Sequence, residues 1–504
     1  MNQPSRKLRY FLLPALAAGL ILGANARAAD PALPALNLDT SQTTVSGISS
    51  GAFMAVQLAV AHSAGVAGVA ATAGGPYFCA GNASWAGAGV SKAIAHCMQG
   101  DPAYPATPIT QTDVDQMAAS ARAWAGKGLI DDVANLAKQK VWVFHGYNDG
   151  IVKKPVSDAL TRWYGIFTPA ANIFYKDELK AAHAQISASC GDSGKACQTC
   201  ATTGGDFINA CPDTGIASSL YDAAGAALQL FYGPLNRTPT EALRGQLAPF
   251  DQKPFVQKNG QTAAPAAIAM ANTGYLYVPP ECAAGAACRL HVAFHGCQQG
   301  AETIGQAFVT KAGFNEWADA NRIVVLYPQA AATLAVPATP LNPQGCWDWW
   351  GYNDFSFDMT GHYATKDGLQ IAAVWRMVER LAGTGATLPA AATAVPMVVR
   401  ADASDNQVAL TWTAVDQASG YVVYRDGQRL PTVSQTAWVD GGLAPVTTYT
   451  YTVAAIGANG AEGARSNPVT AKTAAAPPAC DPYFSLTLGK PVTKKNVPTT
   501  KTCP

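Results

Sequence analysis

Three stretches of this chain are apolar without alternation: "KVWVFHG" (Lys140 to Gly146), "RLHVAFHG" (Arg289 to Gly296) and "RIVVLYPQ" (Arg322 to Gln329). A strand with one wet face alternates, and a continuous run reads as a strand buried on both faces. Runs of this kind, set among helical patterns from about 36 to 382, predict an α/β domain with a parallel sheet covered on both sides. "DGLQIAAVWRMVERLAG" (Asp367 to Gly383) has the apolar spacing of an amphipathic helix, with Gly383 as its stop. In such a sheet, functional residues gather at the carboxyl ends of the strands.

One strand-turn-helix pattern lies earlier. "TTVSG" reads as a strand and "AFMAVQLAVAHS" as a helix, and between them stands Gly47-Ile48-Ser49-Ser50-Gly51. This is the only G-x-S-x-G of a chain with 46 glycines. The pattern marks a nucleophile elbow, in which the flanking glycines let the backbone turn tightly and the new helix pack closely. A serine hydroxyl needs a base, an orienting acid and an oxyanion hole. Asp149 stands just past the end of "KVWVF", and His183 follows the expected strand "NIFYKD". Ser49, Asp149, His183 is the chain order Ser, Asp, His of α/β-hydrolases. His362 is the alternative base among the seven histidines and Asp177 the alternative acid. "HVAFHGCQQG" offers an oxyanion strand and loop, with the Cys297 N–H as one donor and the Ser50 N–H as the other. In the usual order the oxyanion strand precedes the nucleophile strand. Here the oxyanion strand, the strand "RIVVLYP" and the helix "IAAVWRMVERLA" come last, so the sequence predicts a circularly permuted α/β-hydrolase fold that begins at the nucleophile strand.

The ends of the chain read differently. Arg6, Lys7 and Arg9, the apolar "YFLLPALAAGLILG" and Ala26-Arg27-Ala28 form a signal-peptide pattern over 1–28. Its removal would take away four basic residues and no acidic one, moving the formal charge from +1 to −3. A secreted, possibly periplasmic, protein is expected, with no membrane span and no basic patch for nucleic acid. An even count of 12 cysteines in an exported chain points to disulfides, and Cys197-x-x-Cys200 is read as part of a disulfide cluster with Cys190 and Cys211 rather than as a metal or redox pair. An α/β-hydrolase catalytic domain is expected over 36–383 and an Ala/Thr/Pro-rich linker over 384–396. Short alternating strands over 397–473 follow, among them "QVALTWTAV", "GYVVYRDG" and "TYTYTVAAIGANG". This stretch resembles a fibronectin type III domain, with Trp412 in an early strand, Tyr424 in "YVVY" and Tyr449 as the corner tyrosine. The segment 474–504, bracketed by Cys480 and Cys503, is a short tail.

Taken together, "GISSGAFMAVQLAVAHS", "AGGPYFCA", "HGYNDGIV" and "AFHGCQQ" resemble the circularly permuted catalytic domain of extracellular poly(3-hydroxybutyrate) depolymerases. The resemblance implies Ser49 as nucleophile, Asp149 as acid, His183 as base, and Ser50 and Cys297 as oxyanion amides. It implies a serine esterase acting on a polyester or oligoester of 3-hydroxybutyrate. With no H-E-x-x-H, P-loop or Rossmann glycine fingerprint in the chain, no metal or organic cofactor is expected, and a monomer is expected. "CWDWWGYNDFSF" (Cys346 to Phe357) is dense in aromatics, and Trp347, Trp349 and Trp350, with Tyr77, are expected to line the substrate site. Two other functions compete. A soluble carbohydrate esterase would act on feruloyl or acetyl sugars and ignore 3-hydroxybutyrate oligomers. A non-catalytic surface-binding protein would not react with a serine-directed phosphonate.

Overall fold

The computed structural model describes residues 30–81, 92–99, 109–191, 196–213, 219–334, 339–353, 361–383, 396–415, 418–457 and 462–476. The expected signal peptide, most of the expected linker, and all of the tail beyond residue 476, with Cys480 and Cys503, lie outside the described residues.

Eight strands form one sheet. In chain order they are β1 (Thr43–Ile48), β2 (Val66–Thr72), β3 (Lys140–Phe144), β4 (Ile173–Lys176), β5 (Gln246–Asp251), β6 (Thr273–Val278), β7 (Arg289–Phe294) and β8 (Ile323–Tyr327). Across the sheet the order is β4-β3-β2-β1-β7-β8-β6-β5. The six strands from β4 to β8 are parallel, and β6 and β5 close one edge antiparallel. This is a doubly wound α/β-hydrolase sheet entered in its middle. The strand that carries the elbow comes first in the chain, and the antiparallel edge that opens the ordinary fold comes after β4.

The apolar runs explain why the sheet sits inside. Every residue of β1 and β8 is buried, as is all of β7 and β3 except the first residue of each. One face packs on helices α1 (Ser50–Ala61), α2 (Gln111–Ala125), α3 (Lys154–Gly165) and α5 (Leu369–Leu381), and the other on α4 (Ala223–Tyr232). In α5, Ile371, Val374, Met377, Val378 and Leu381 are buried at helical spacing, and Gly383 has the positive φ of a helix stop. Residues 30–36 also belong to this body. Leu33 is buried in the core beside α5, and the Leu36 N–H donates to Leu381 O at 2.7 Å.

Polar side chains inside the sheet satisfy one another. His291 on β7 pairs through Nδ1 with Thr44 Oγ1 (2.8 Å) and through Nε2 with Ser46 Oγ (2.7 Å), both on β1. Burial pushes its pKa down to about 3, so it is a neutral core histidine.

The region 397–473 is a β-sandwich. Val398–Ala403, Gln407–Trp412 and Ala437–Gly441 form one sheet, and the longest strand of the other is Thr448–Gly457. Its core holds Trp412, Tyr421 and Tyr451. Tyr449 OH accepts from the Ala444 N–H at 2.9 Å, the local bond of a tyrosine corner.

Candidate active site

Ser49 joins β1 to α1 with φ 56° and ψ −123°. A non-glycine residue there is strained, and the neighbours hold it in place. The Ser49 N–H donates to Thr72 O (2.9 Å), and Ser49 O accepts from the N–H groups of Ala52 (2.9 Å) and Phe53 (3.1 Å). Both flanking glycines are required by space. A Cβ on Gly47 would stand 2.1 Å from Gly51 O, and one on Gly51 would stand 2.3 Å from His295 O. The elbow therefore lies backbone against backbone on the end of β7. A Cβ on Gly296 would come within 3.3 Å of Ser49 Cβ, which sets the Gly296-Cys297 peptide beside the serine. Among the described residues neither the Ser50 N–H nor the Cys297 N–H has a protein acceptor. Two unspent amides beside one serine can receive a developing oxyanion.

Asp149 sits in the turn after β3. Its Oδ1 accepts from the N–H groups of Ile151 (2.8 Å) and Val152 (3.0 Å), and its Oδ2 from His183 Nδ1 (2.8 Å). With Nδ1–H committed to the carboxylate, Nε2 is the imidazole atom left to take a proton. Ser49, Asp149 and His183 are 8%, 7% and 5% exposed, so their electrostatics act with little screening. The edge of the Phe207 ring packs on His183, and Phe207 itself has a positive φ of 52°. The alternative partners lie elsewhere. Asp177 pairs with Lys154 at 3.0 Å, and His362 opens a short 3-10 helix ahead of α5.

The cysteine cluster forms two local disulfides, Cys190–Cys197 and Cys200–Cys211, around the loop that carries Phe207. Cys297 is bonded to Cys346, which ties the oxyanion turn to the aromatic segment.

That segment corrects an expectation. Trp347 is fully buried, edge-on to Phe294 at 5.0 Å, and its backbone N–H donates to Ser50 Oγ at 3.3 Å. Trp349 is 4% exposed and stacks on Phe53 at 4.0 Å. Tyr77 is fully buried, with its OH donating to Ala364 O at 2.6 Å. Trp347 and Trp349 pack beneath the elbow and its helix, Tyr77 packs on Trp124 and Trp163, and neither Trp347 nor Tyr77 has an exposed face. Burying rings of this size stabilises the fold by roughly 2–3 kcal/mol each, more than one exposed contact gains. Trp350 is half-buried, edge-on to Trp349 and Tyr352. Phe355 and Phe357 lie outside the described residues.

Two residues escaped the sequence reading. Gln299 Oε1 accepts the Gly296 N–H at 2.7 Å, and its Nε2 donates to Asp206 O (2.9 Å) and Phe207 O (3.1 Å), bridging the oxyanion turn to the loop beside His183. His145 Nε2 donates to Val152 O at 3.1 Å and braces the Asp149 turn. The repeated tripeptide Phe-His-Gly at 144–146 and 294–296 was the available signal for both turns.

No family model matches the chain. Among curated proteins it is 40% identical over 445 residues to a poly(3-hydroxybutyrate) depolymerase of Delftia acidovorans, covering 86% of this chain and 80% of that one. It is 36% identical over 367 residues to a polyhydroxybutyrate depolymerase of Talaromyces funiculosus, covering 71% and 95%. Among solved structures, a PHB depolymerase complexed with an R3HB trimer matches at 33% identity with a TM-score of 0.57, covering 70% of this chain and all of that one. The crystal structure of the PHB depolymerase from Penicillium funiculosum matches at 34% with the same score and coverage.

Proposed function

Because the chain belongs to the poly(3-hydroxybutyrate) depolymerase family, we propose that Ser49, His183 and Asp149 hydrolyse esters of 3-hydroxybutyrate through an acyl-enzyme. The protein is a carboxylic ester hydrolase of the serine type. The observation that carries the residue assignment is the 2.8 Å bond from His183 Nδ1 to Asp149 Oδ2, made at the same carboxyl end of the parallel strands as the strained elbow of Ser49.

The reaction follows from these groups. Ser49 Oγ attacks the ester carbonyl carbon while His183 Nε2 takes the hydroxyl proton. Asp149 fixes the tautomer and stabilises the imidazolium. The carbonyl oxygen becomes an oxyanion facing the amides of Ser50 and Cys297. The C–O bond to the alcohol end breaks, and His183 gives that alkoxide its proton. Water, deprotonated by His183, then attacks the acyl-enzyme and releases the acid, restoring Ser49. The R3HB trimer bound by the related depolymerase supports an oligoester as the substrate that reaches this serine. Five disulfides among the described residues support a site outside the cytoplasm.

Acid release from an amorphous poly(3-hydroxybutyrate) suspension and from soluble 3-hydroxybutyrate oligomers tests this reading. Both should be hydrolysed by the mature protein and neither by Ser49→Ala, with unchanged thermal unfolding. Turnover that survives in Ser49→Ala removes the assignment. Activity confined to oligomers would restrict the substrate to soluble esters.

A further inference from the structure

We infer that Phe207 is a specificity-determining residue that limits the branch carried by the leaving, alcohol-side unit of the ester. This rests on the assignment of His183 as the base under the proposed function.

Phe207 stands in a backbone conformation that disfavours it. Its φ of 52° lies in the left-handed region, where a bulky side chain is an outlier. Glycine is at hand in this loop, as Gly204 (φ 121°) and Gly205 (φ 62°), yet position 207 carries an aromatic ring. Core burial does not offset the strain. The ring is half-buried and belongs to none of the apolar clusters formed by the described residues. Among the described residues its one ring contact is with His183, at 85° and 6.3 Å between centroids. Strain of this kind persists where the surroundings over-determine it, and it gathers at functional sites.

The surroundings do so here. The Phe207 N–H donates to Gly204 O at 3.0 Å, and Phe207 O accepts from the Gln185 N–H at 2.8 Å and from Gln299 Nε2 at 3.1 Å. Gln185–Ile186, just beyond His183, pairs in parallel with Ile208–Ala210, just beyond Phe207. Lys311 holds Asp206 at 3.1 Å, and the Cys200–Cys211 disulfide closes the loop. Ring and base are therefore carried by adjoining strands of one small sheet.

The reaction says what comes to that place. The bond that breaks joins the acyl carbonyl carbon to the oxygen on C3 of the leaving unit. That oxygen departs with the electron pair and takes the proton held on His183 Nε2. C3 is bonded to this oxygen and bears the branch, which is a methyl in 3-hydroxybutyrate. An apolar ring packed on the imidazole is the neighbour this branch meets. It leaves room for a methyl and takes the space that a propyl would need. The C3 of the acyl unit lies beyond the carbonyl carbon, farther from the same oxygen, so the restriction falls on the alcohol side.

A trimer of 3-hydroxybutyrate, isotopically labelled in the unit with the free hydroxyl, tests this with the full chain. Cutting the first ester releases labelled monomer and makes the middle unit the alcohol. Cutting the second releases labelled dimer and makes the middle unit the acyl group. The initial ratio of labelled monomer to labelled dimer is independent of how much active enzyme is present. With the parent protein, replacing the middle unit by 3-hydroxyhexanoate should lower that ratio about tenfold or more. In Phe207→Gly, which suits the backbone at this position, the same replacement should lower it less than about threefold. In Phe207→Trp the fall should exceed the parent's by at least about threefold. A ratio that the longer branch leaves unaltered in the parent overturns the inference. So does a Phe207→Gly that discriminates as the parent does, even at a slower overall rate, since the ring would then serve His183 or the fold. If Phe207→Gly yields no soluble enzyme, Phe207→Trp decides, and discrimination equal to the parent's overturns the inference. Ser49→Ala is measured alongside. Hydrolysis there sinks the function itself, whereas an inactive Ser49→Ala beside an unchanged ratio in Phe207→Gly removes only the role of Phe207.

Discussion

The turn after β3 and the turn after β7 begin with the same tripeptide, Phe144-His145-Gly146 and Phe294-His295-Gly296, and close in the same way. The Asp149 N–H donates to Gly146 O at 2.8 Å, and the Gln299 N–H to Gly296 O at 3.2 Å. Both glycines leave little room for a side chain: a Cβ on Gly146 would stand 2.4 Å from Ala181 O, and one on Gly296 would stand 2.8 Å from Gln299 Oε1 and 3.3 Å from the elbow. The turns diverge at the residue three beyond the glycine. In the first it is Asp149, whose carboxylate collects two amides and the histidine base. In the second it is Gln299, whose side chain folds back to hold Gly296 and leaves the Cys297 N–H unspent. One frame thus presents a side chain and the other a backbone amide. The histidines diverge as well. His145 donates through Nε2 and His295 through Nδ1.

The largest effect should come from the side-chain turn. Asp149→Asn keeps shape but cannot fix the tautomer of His183, and kcat on soluble oligomers should drop roughly 10⁴-fold. A loss under about tenfold would mean that the carboxylate does not orient the base, and the contrast between the turns would collapse. The backbone turn should prove more forgiving. Gln299→Ala leaves the buried Gly296 N–H without an acceptor and frees the Asp206-Phe207 segment. We expect kcat to fall about tenfold to hundredfold, short of the loss of a whole oxyanion donor. Parental kinetics in this variant would show that the turn holds its peptide without the bridge.

A third measurement reads stability. Burial lowers the pKa of His62 and His291 to about 3 and of His295 to about 4, against an ordinary value of 6.5. Unfolding lets each take up a proton below pH 6.5, so the unfolded chain binds more protons and stability falls as the pH drops. The contribution is full above 6.5 and is lost progressively toward the folded values. Each group adds a slope of about 1.4 kcal/mol per pH unit between roughly pH 6 and 5. Urea unfolding of His295→Asn should show a slope shallower by about that amount. An unchanged slope would mean that His295 is not held neutral in the folded protein.

How much of this was legible depends on which atoms do the work. The unalternating runs of β3, β7 and β8 and the early elbow carried the permuted sheet, because burial on both faces and a glycine-flanked serine leave marks in residue type. Asp149 and His183 were legible for the same reason, being side chains placed just past strand ends. The tryptophans misled. A dense aromatic segment has the composition of a binding surface and of a core alike, and only packing assigns Trp347 to the underside of the elbow. The role proposed for Cys297 rests on a backbone N–H, which any residue but proline supplies, so its neighbours Gln299 and His295 were silent in sequence. Their duties are set by which nitrogen or oxygen faces which backbone group.

The smallest effect sharpens the comparison most. At position 145 the useful donor is Nε2, the atom a glutamine amide reproduces, while Nδ1 is buried without a partner among the described residues. His145→Gln keeps the bond to Val152 O and discards an unpaired nitrogen, so kcat should change by less than about threefold, since that bond is what the His145 side chain gives the Asp149 turn. His145→Asn reaches only as far as Nδ1 and should be the worse of the pair. At position 295, where the donor is Nδ1, the order is expected to be reversed, with Asn mild and Gln damaging. Kinetics on the four variants therefore test a crossed pattern. A shared order at both positions would mean that the histidines matter by volume, because bulk alone cannot favour the longer amide in one turn and the shorter in the other.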